Sequence, residues 1–142
     1  MAKLRNALGV KANAIHVWLY RRSRGRRFNK VKGMPVALLT VAGRRTGVPH
    51  TTPVVYLEVE GTWVVAGSAG GAKPEPQWFR NLRATDRATI EIGGTRNAVA
   101  VHVAQGEQRD QLWARLLDKG DFWQKYADES GRVIPLATLS PT

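Results

Sequence analysis

Residues 38–56, Leu38-Leu39-Thr40-Val41-Ala42-Gly43-Arg44-Arg45-Thr46-Gly47-Val48-Pro49-His50-Thr51-Thr52-Pro53-Val54-Val55-Tyr56, are the stretch around which the chain is arranged. Two apolar, β-branched runs flank a short basic turn. Gly43 and Gly47 bracket Arg44, Arg45 and Thr46. Glycine tolerates positive φ, so a turn closed by two glycines bends sharply and bares its backbone N–H groups. Two guanidinium groups and a hydroxyl in such a bend offer donors to phosphate or carboxylate oxygens. The turn has neither the G-x-x-x-x-G-K-[ST] pattern nor a G-x-G-x-x-G after a strand, so neither common nucleotide fingerprint is present. Taken alone, it reads equally well as a hairpin turn with solvated arginines.

The runs on either side predict strands over Met34–Val41, opened by Pro35, and over Thr51–Glu60. Gly61-Thr62 predicts a hairpin turn into a third strand, Trp63–Ala66. Three strands with short links favour an antiparallel meander. Gly67-Ser68-Ala69-Gly70-Gly71-Ala72-Lys73-Pro74-Glu75-Pro76 is small, glycine-rich and punctuated by proline, which predicts a loop. It enters a short helix, Gln77–Arg83, that carries Trp78 and Phe79, with Pro76 at its start. Such a loop brings backbone amides close to a flat ligand.

Further on, Ala88–Ile92 and Asn97–Ala104 predict strands joined through Gly93-Gly94. Gly106–Lys119 predicts a helix with Leu112, Trp113 and Leu116 on one side and Gly120 as its stop. Phe122, Trp123 and Tyr126 fall in a second short helical segment, and Arg132–Leu139 predicts the last strand. At the other end, Met1–Tyr20 predicts an amphipathic helix with Leu4, Leu8, Ile15, Trp18 and Leu19 near one face.

The formal charge of +11 is concentrated at one end. Met1–Leu57 holds 12 Lys and Arg and no acid, and the remainder holds 10 basic against 11 acidic residues. This asymmetry implies an anionic partner. A helix ending in Trp18 and Tyr20 and followed by Arg21, Arg22, Arg24, Arg26, Arg27, Lys30 and Lys32 suits contact with an anionic membrane surface. A helix packed on the domain with a solvated basic loop ranks just ahead of that reading. Nucleic acid ranks third, because the aromatics do not alternate with the charges.

Within 142 residues there is room for one core. The chain has no cysteine, which removes disulfides, thiolate metal sites and a cysteine nucleophile. No apolar run is long enough to span a bilayer and no signal-peptide pattern occurs, so a cytoplasmic protein is expected. His16, His50 and His102 form no ligand pair, and no serine has a G-x-S-x-G setting, so no metal site and no hydrolytic triad are expected. The carboxylates fall mostly on faces expected to be exposed. A chain this poor in reactive side chains is a binding module or an enzyme whose cofactor carries the reaction. Six antiparallel strands closed or half-closed into a barrel would gather the basic turn, the glycine loop and the aromatics into a flat slot with a cationic mouth.

Pro35-Val36-Ala37-Leu38-Leu39-Thr40, Gly43-Arg44-Arg45-Thr46-Gly47, Pro53, Ser68-Ala69-Gly70-Gly71, Trp78-Phe79-Arg80-Asn81-Leu82 and Arg132-Val133-Ile134-Pro135, in that order, make the chain resemble the deazaflavin (coenzyme F420)-dependent nitroreductase and quinone reductase family. The resemblance spans roughly Trp18 to Leu139. It implies an α+β fold: a split β-barrel of about six antiparallel strands with an N-terminal helix. It implies that Arg44, Arg45 and Thr46 hold the phosphate and polyglutamate tail of the coenzyme. It also implies that His50, Thr51, Thr52, Pro53, Val54 and Val55, then Ala66, Gly67, Ser68, Ala69 and Gly70, then Trp78, Phe79 and Asn81, wrap the ribityl chain and ring. Ser68 matches a serine near ring and substrate, and Trp123 and Tyr126 match aromatic positions over the substrate pocket. Ser68 and Tyr126 are the expected catalytic donors.

The chain departs from the family pattern where Ala69 replaces a basic residue, His50 an arginine and Val55 a tyrosine. Fewer tyrosine hydroxyls favour a quinone acceptor over a nitroimidazole. The expected layout is a basic N-terminal helix and loop over 1–33 and a coenzyme-binding barrel over 34–142, with possible peripheral contact at the inner face of the membrane. The alternatives are a flavin mononucleotide (FMN)-dependent oxidoreductase on a similar barrel, and a non-enzymatic module for anionic lipid or nucleic acid.

Overall fold

The structure, a computed structural model, describes residues 2–142, with side chains from residue 12 onward. Leu4 and Leu8 therefore lie outside the described side chains. The chain runs α1 (Ala2–Arg22), β1 (Lys30–Val31), β2 (Met34–Ala42), β3 (Pro49–Val59), β4 (Thr62–Ala66), α2 (Gln77–Arg83), β5 (Arg87–Ile92), β6 (Thr95–Val103), α3 (Gly106–Lys119), α4 (Phe122–Ser130) and β7 (Leu136–Pro141). Strands β2-β3-β4-β7-β6-β5 are hydrogen-bonded in that order, all antiparallel, and β5 pairs back onto β2. The expected barrel is a closed six-stranded one. The two residues of β1 add only to β2, through Lys30↔Pro35 and Val31↔Met34.

Closure explains the near-continuous apolar run of β2. Ala37, Leu39 and Val41 alternate into the interior beside Val54 and Ile90, while Val36 and Leu38 on the other face are also buried. Phe79 and Leu82 of α2 join the same interior cluster, both fully buried, so this seven-residue helix plugs the barrel. A second cluster unites Val64, Ala66 and Leu136 with Leu112 and Leu116 of α3 and Trp123 of α4. The two C-terminal helices thus cover the outer face of β4 and β7.

Of the apolar face expected on α1, Ile15 and Trp18 stand in solvent and Leu19 is half-buried. Ile15 is 59% and Trp18 57% exposed, whereas Tyr20 is 1% exposed. Gly93 N–H donates to Tyr20 Oη at 3.0 Å, and the hydroxyl lies 3.5 Å from the Glu91 carbonyl. Just beyond, Gly25 meets the β5–β6 turn so closely that a Cβ there would lie 2.6 Å from Gly93 Cα. Glu91, against the expectation of exposed carboxylates, is 6% exposed. It accepts from Arg96 Nε at 3.0 Å and faces Arg21 Nε at 3.5 Å. One aromatic anchor and one buried carboxylate pin the end of α1 to the β5–β6 hairpin.

Among the boundaries that differ from the sequence reading, two have a local cause. The β3–β4 turn is Glu60-Gly61, both at positive φ (52° and 77°), one residue earlier than expected. The last strand starts at Leu136 rather than Arg132. Arg109 Nη2 takes the Ile134 carbonyl at 2.6 Å and Pro135 has no N–H, so the ladder cannot begin before them.

Replacing Tyr20 by Phe leaves the Gly93 amide without its acceptor and is expected to cost about 1–2 kcal/mol, measured by chemical denaturation. Burial raises the Tyr20 and Tyr56 hydroxyls above their ordinary value of 10.0. Both are neutral in either state below that value; as pH rises past it the unfolded chain ionises first, so stability falls. Tyr20→Phe should remove the Tyr20 share of that alkaline loss.

Candidate functional site

The basic turn is held from inside and from outside. Gly43 N–H donates to Val48 O and Gly47 N–H to Gly43 O, both at 2.8 Å, with Gly47 at φ 73°. Thr46 Oγ1 accepts from Val48 N–H at 3.2 Å. From outside, Asn81 Oδ1 accepts both the Arg44 backbone N–H, at 3.1 Å, and Arg44 Nη1, at 2.8 Å. Asn81 is only 7% exposed, so α2 fixes the turn through a buried amide oxygen. Arg45 is exposed and makes no hydrogen bond among the described residues.

Beside the turn lies a groove of about 570 Å³. Asn13 of α1 lines it on one element; Gly43, Arg44, Arg45 and Thr46 on the turn; His50, Thr51 and Thr52 on β3; and Pro76, Gln77, Trp78 and Asn81 at the start of α2. This volume suits a cofactor-sized ligand. Its lining includes two arginines and no carboxylate, which makes it selective for an anion. Of the expected coenzyme contacts, the structure gathers Arg44, Arg45, Thr46, His50, Thr51, Thr52, Trp78 and Asn81 here.

The other expected residues sit elsewhere. Val54 and Phe79 face the barrel interior, and Val55 packs against the cluster under α3 and α4. Pro53 is half-buried, Ala66, Gly67 and Ser68 are buried, and Ala69 and Gly70 are exposed at the loop tip. The register pairs Tyr56 of β3 with Val65 of β4, and Gly67 and Ser68 follow two and three residues past Val65. The glycine loop therefore leaves the strand that pairs with β3, and the start of β3 lines the groove. Gly67 cannot carry a side chain, because its Cβ would lie 2.9 Å from the Phe79 ring and from Pro135. The Ser68 hydroxyl makes no hydrogen bond among the described residues and is not sealed from solvent.

Tyr126 of α4 is half-buried against Phe122 and Trp123. Trp123 is 3% exposed and donates Nε1–H to Met34 Sδ at 3.3 Å. Lys32 Nζ stands 4.8 Å from the centroid of the Tyr126 ring. Arg83 grips Glu75 through Nε at 3.0 Å and Nη2 at 2.8 Å, which staples the loop before α2 to its end. That pairing raises the Arg83 guanidinium above its ordinary range.

The sequence reading missed Asn13, Pro76 and Gln77 as lining residues. Pro76 marked a helix start, but nothing in the pattern joins Asn13 to a turn thirty residues away. Among the described residues no group of His, Asp and Glu could hold a metal ion.

Residues 12–141 match the F420H(2)-dependent quinone reductase family. The chain belongs to that family. An F420H(2)-dependent quinone reductase of Mycobacterium tuberculosis H37Rv is 28% identical over 141 residues, covering 96% of this chain and 95% of that one. A second protein of the same strain bearing the family designation is 32% identical over 110 residues, 78% of this chain and 92% of its own. A solved F420-H2 dependent reductase, FDR-A, superposes with a TM-score of 0.68 at 22% identity, over 75% of this chain and 94% of that one, a likeness of fold. As a member of the F420H(2)-dependent quinone reductase family, the chain is an oxidoreductase and coenzyme F420 is its cofactor. An acid-free groove with one unengaged arginine fits a coenzyme with an anionic tail.

Asn81→Ala strips one acceptor from two Arg44 donors. It should destabilise the fold by about 1–3 kcal/mol and weaken F420 binding, read by thermal unfolding and by fluorescence titration.

Proposed function

We propose that the protein transfers a hydride from reduced F420 to a quinone, with the coenzyme tail at Arg44, Arg45 and Thr46 and its ring along β3 toward Ser68. The observation that carries this reading is the register of β3. The six steps from His50 in the groove to Tyr56, the partner of Val65, span about 20 Å at strand rise, and Gly67 lies two residues past Val65. Strand β3 and its partner β4 thus connect the basic turn to the loop that carries the Ser68 hydroxyl.

The bound coenzyme supplies the hydride; the chain binds, orients and stabilises charge. Arg45 donates its whole guanidinium to tail oxygens, and Arg44 the donors that Asn81 does not use. Such charge-assisted bonds contribute about 1.5–3 kcal/mol each when well formed. Trp78 offers a flat apolar surface at the groove wall. Ser68 and Tyr126 donate hydrogen bonds to the acceptor oxygen as it gains charge, and solvent completes the protonation. Rate therefore arises from placing the acceptor face-on and from donors aimed at the developing charge. Trp123, sealed beneath Tyr126, supports that ring from below the acceptor.

Changing Arg44 and Arg45 together to Ala should raise the F420 dissociation constant by about tenfold or more, measured by fluorescence titration with FMN run alongside. Unchanged F420 affinity counts against the tail site, and tighter FMN binding counts against the coenzyme.

The exposed side chains of α1 favour peripheral contact with an anionic membrane, which would deliver lipid-soluble quinones. Ile15, Trp18 and Phe28 are 59%, 57% and 49% exposed beside Arg21, Arg22, Arg26, Arg27 and Lys30. Among the described residues no helix is long and apolar enough to cross a membrane. Replacing Ile15 and Trp18 by Ser should abolish pelleting with phosphatidylglycerol vesicles and leave F420 affinity intact; undiminished pelleting rejects the contact.

A further inference from the structure

Arg132 stands at the end of α4, immediately after Gly131, whose φ of 67° caps the helix. Its own N–H donates to Ser130 Oγ at 3.2 Å, so the side chain leaves from a fixed point. The guanidinium then crosses to the glycine loop. Nη2 donates to the carbonyls of Gly67 at 3.0 Å, Ser68 at 3.2 Å and Pro74 at 3.4 Å, and Nε to that of Ala72 at 3.3 Å. Those four carbonyls lie on both limbs of the loop. Between the limbs the chain turns through Ala69, Gly70 and Gly71 at φ 49°, 62° and 91°. An alanine in the left-handed region persists only when its surroundings over-determine it. The turn's own bonds, Gly71 N–H to Ser68 O and Ala72 N–H to Ala69 O, close only the tip.

The remaining nitrogen of Arg132, Nη1, is sealed from solvent and has no acceptor. A buried donor left unpaired is unfavourable, so the guanidinium keeps this place because of what Nε and Nη2 hold. The same helix end presses on the loop tip. A Cβ on Gly71 would lie 2.8 Å from Glu129 Oε2 and 3.4 Å from Tyr126 Cα. Helix α4 carries Tyr126 and the loop carries Ser68, and Arg132 is the polar bridge between them.

We propose that Arg132 is a positioning residue: its guanidinium, spanning the carbonyls of Gly67, Ser68, Ala72 and Pro74, fixes the glycine loop against α4 and thereby sets Ser68 relative to Tyr126. The proposal rests on the acceptor-side roles given above to those two residues. Its first readout does not depend on those roles, because the loop is ordered by Arg132 with or without coenzyme. Lysine cannot replace it, since one ammonium at the place of Nη2 leaves the Ala72 carbonyl, held by Nε, without its donor and lacks the fixed fork geometry.

The test uses the full chain as wild type, Arg132→Met and Arg132→Lys. Hydrogen exchange of the unliganded protein should quicken by about tenfold or more in residues 68–74 of both variants, with β2 and β3 unchanged. With reduced F420 and a soluble benzoquinone, kcat should fall by about tenfold or more while the F420 dissociation constant moves by less than about threefold. The Lys variant should recover only a small part. Loop exchange and kcat both within about twofold of wild type would overturn the proposal, and so would exchange that quickens equally across the barrel. If Arg132→Met does not fold, Arg132→Lys decides by the same two criteria. Faster loop exchange with unchanged kcat refutes the acceptor-side roles of Ser68 and Tyr126 and leaves the loop-ordering result standing.

Discussion

Strand β2 is paired on both edges, to β3 along seven residues and to β5 through Leu38↔Glu91, Leu39↔Ile90 and Thr40↔Thr89, and everything at the site follows from that closure. A closed sheet has ends instead of edges. The turn that leaves β2 therefore falls at a barrel end, where the interior needs a stopper. Helix α2 supplies it by dividing its short length. Phe79 and Leu82 enter the core, while Trp78 and Asn81 line the groove. The residue that steadies Arg44 and the residues that fill the barrel belong to one rigid turn of helix. Arg44 of the basic turn is thus oriented by the same packing that stabilises the fold.

Electrostatics follow from the same arrangement. The acid-free first part of the chain supplies α1, the basic turn and the start of β3, which together line the groove. Two of the acids are held by arginines: Glu75 under Arg83, and Glu91 between Arg21 and Arg96. Glu91 is the costly case, because a buried carboxylate is tolerated only when paired and hydrogen-bonded. Its two arginines come from different elements, so the ion pair also specifies where α1 ends.

The strands and the helices α2 and α3 were legible in the sequence, because hydrophobic period and glycine or proline punctuation are local signals. The basic turn was legible as a cluster of donors for the same reason: they are contiguous. What escaped was set by contacts between distant segments. Trp18 outranks Tyr20 in apolar surface, yet Tyr20 is the residue buried, since a hydroxyl was needed at the Gly93 amide and Gly25 had to approach the hairpin backbone. The start of β7 slipped four residues because Arg109, from α3, claims a carbonyl that the strand pattern assigned to the ladder. Asn81 was read as a coenzyme contact, and its grip on the Arg44 backbone was invisible until β2 and α2 were brought together.

The first 33 residues were expected to form a unit of their own, and the contacts of α1 bear on how it can act. Asn13 lines the groove, and Tyr20, seven residues and about two helical turns later, is locked into the β5–β6 hairpin. Rigid helical geometry makes these two points inseparable. A helix fastened at Tyr20 cannot swing out to a surface without opening one wall of the groove. Any surface that binds Ile15 and Trp18 must therefore meet the helix where it lies, on the outside of the groove wall. The apolar side chains left in solvent and the polar one turned inward are then two faces of one strut, and a molecule held in that surface would meet the protein beside the groove at the basic turn.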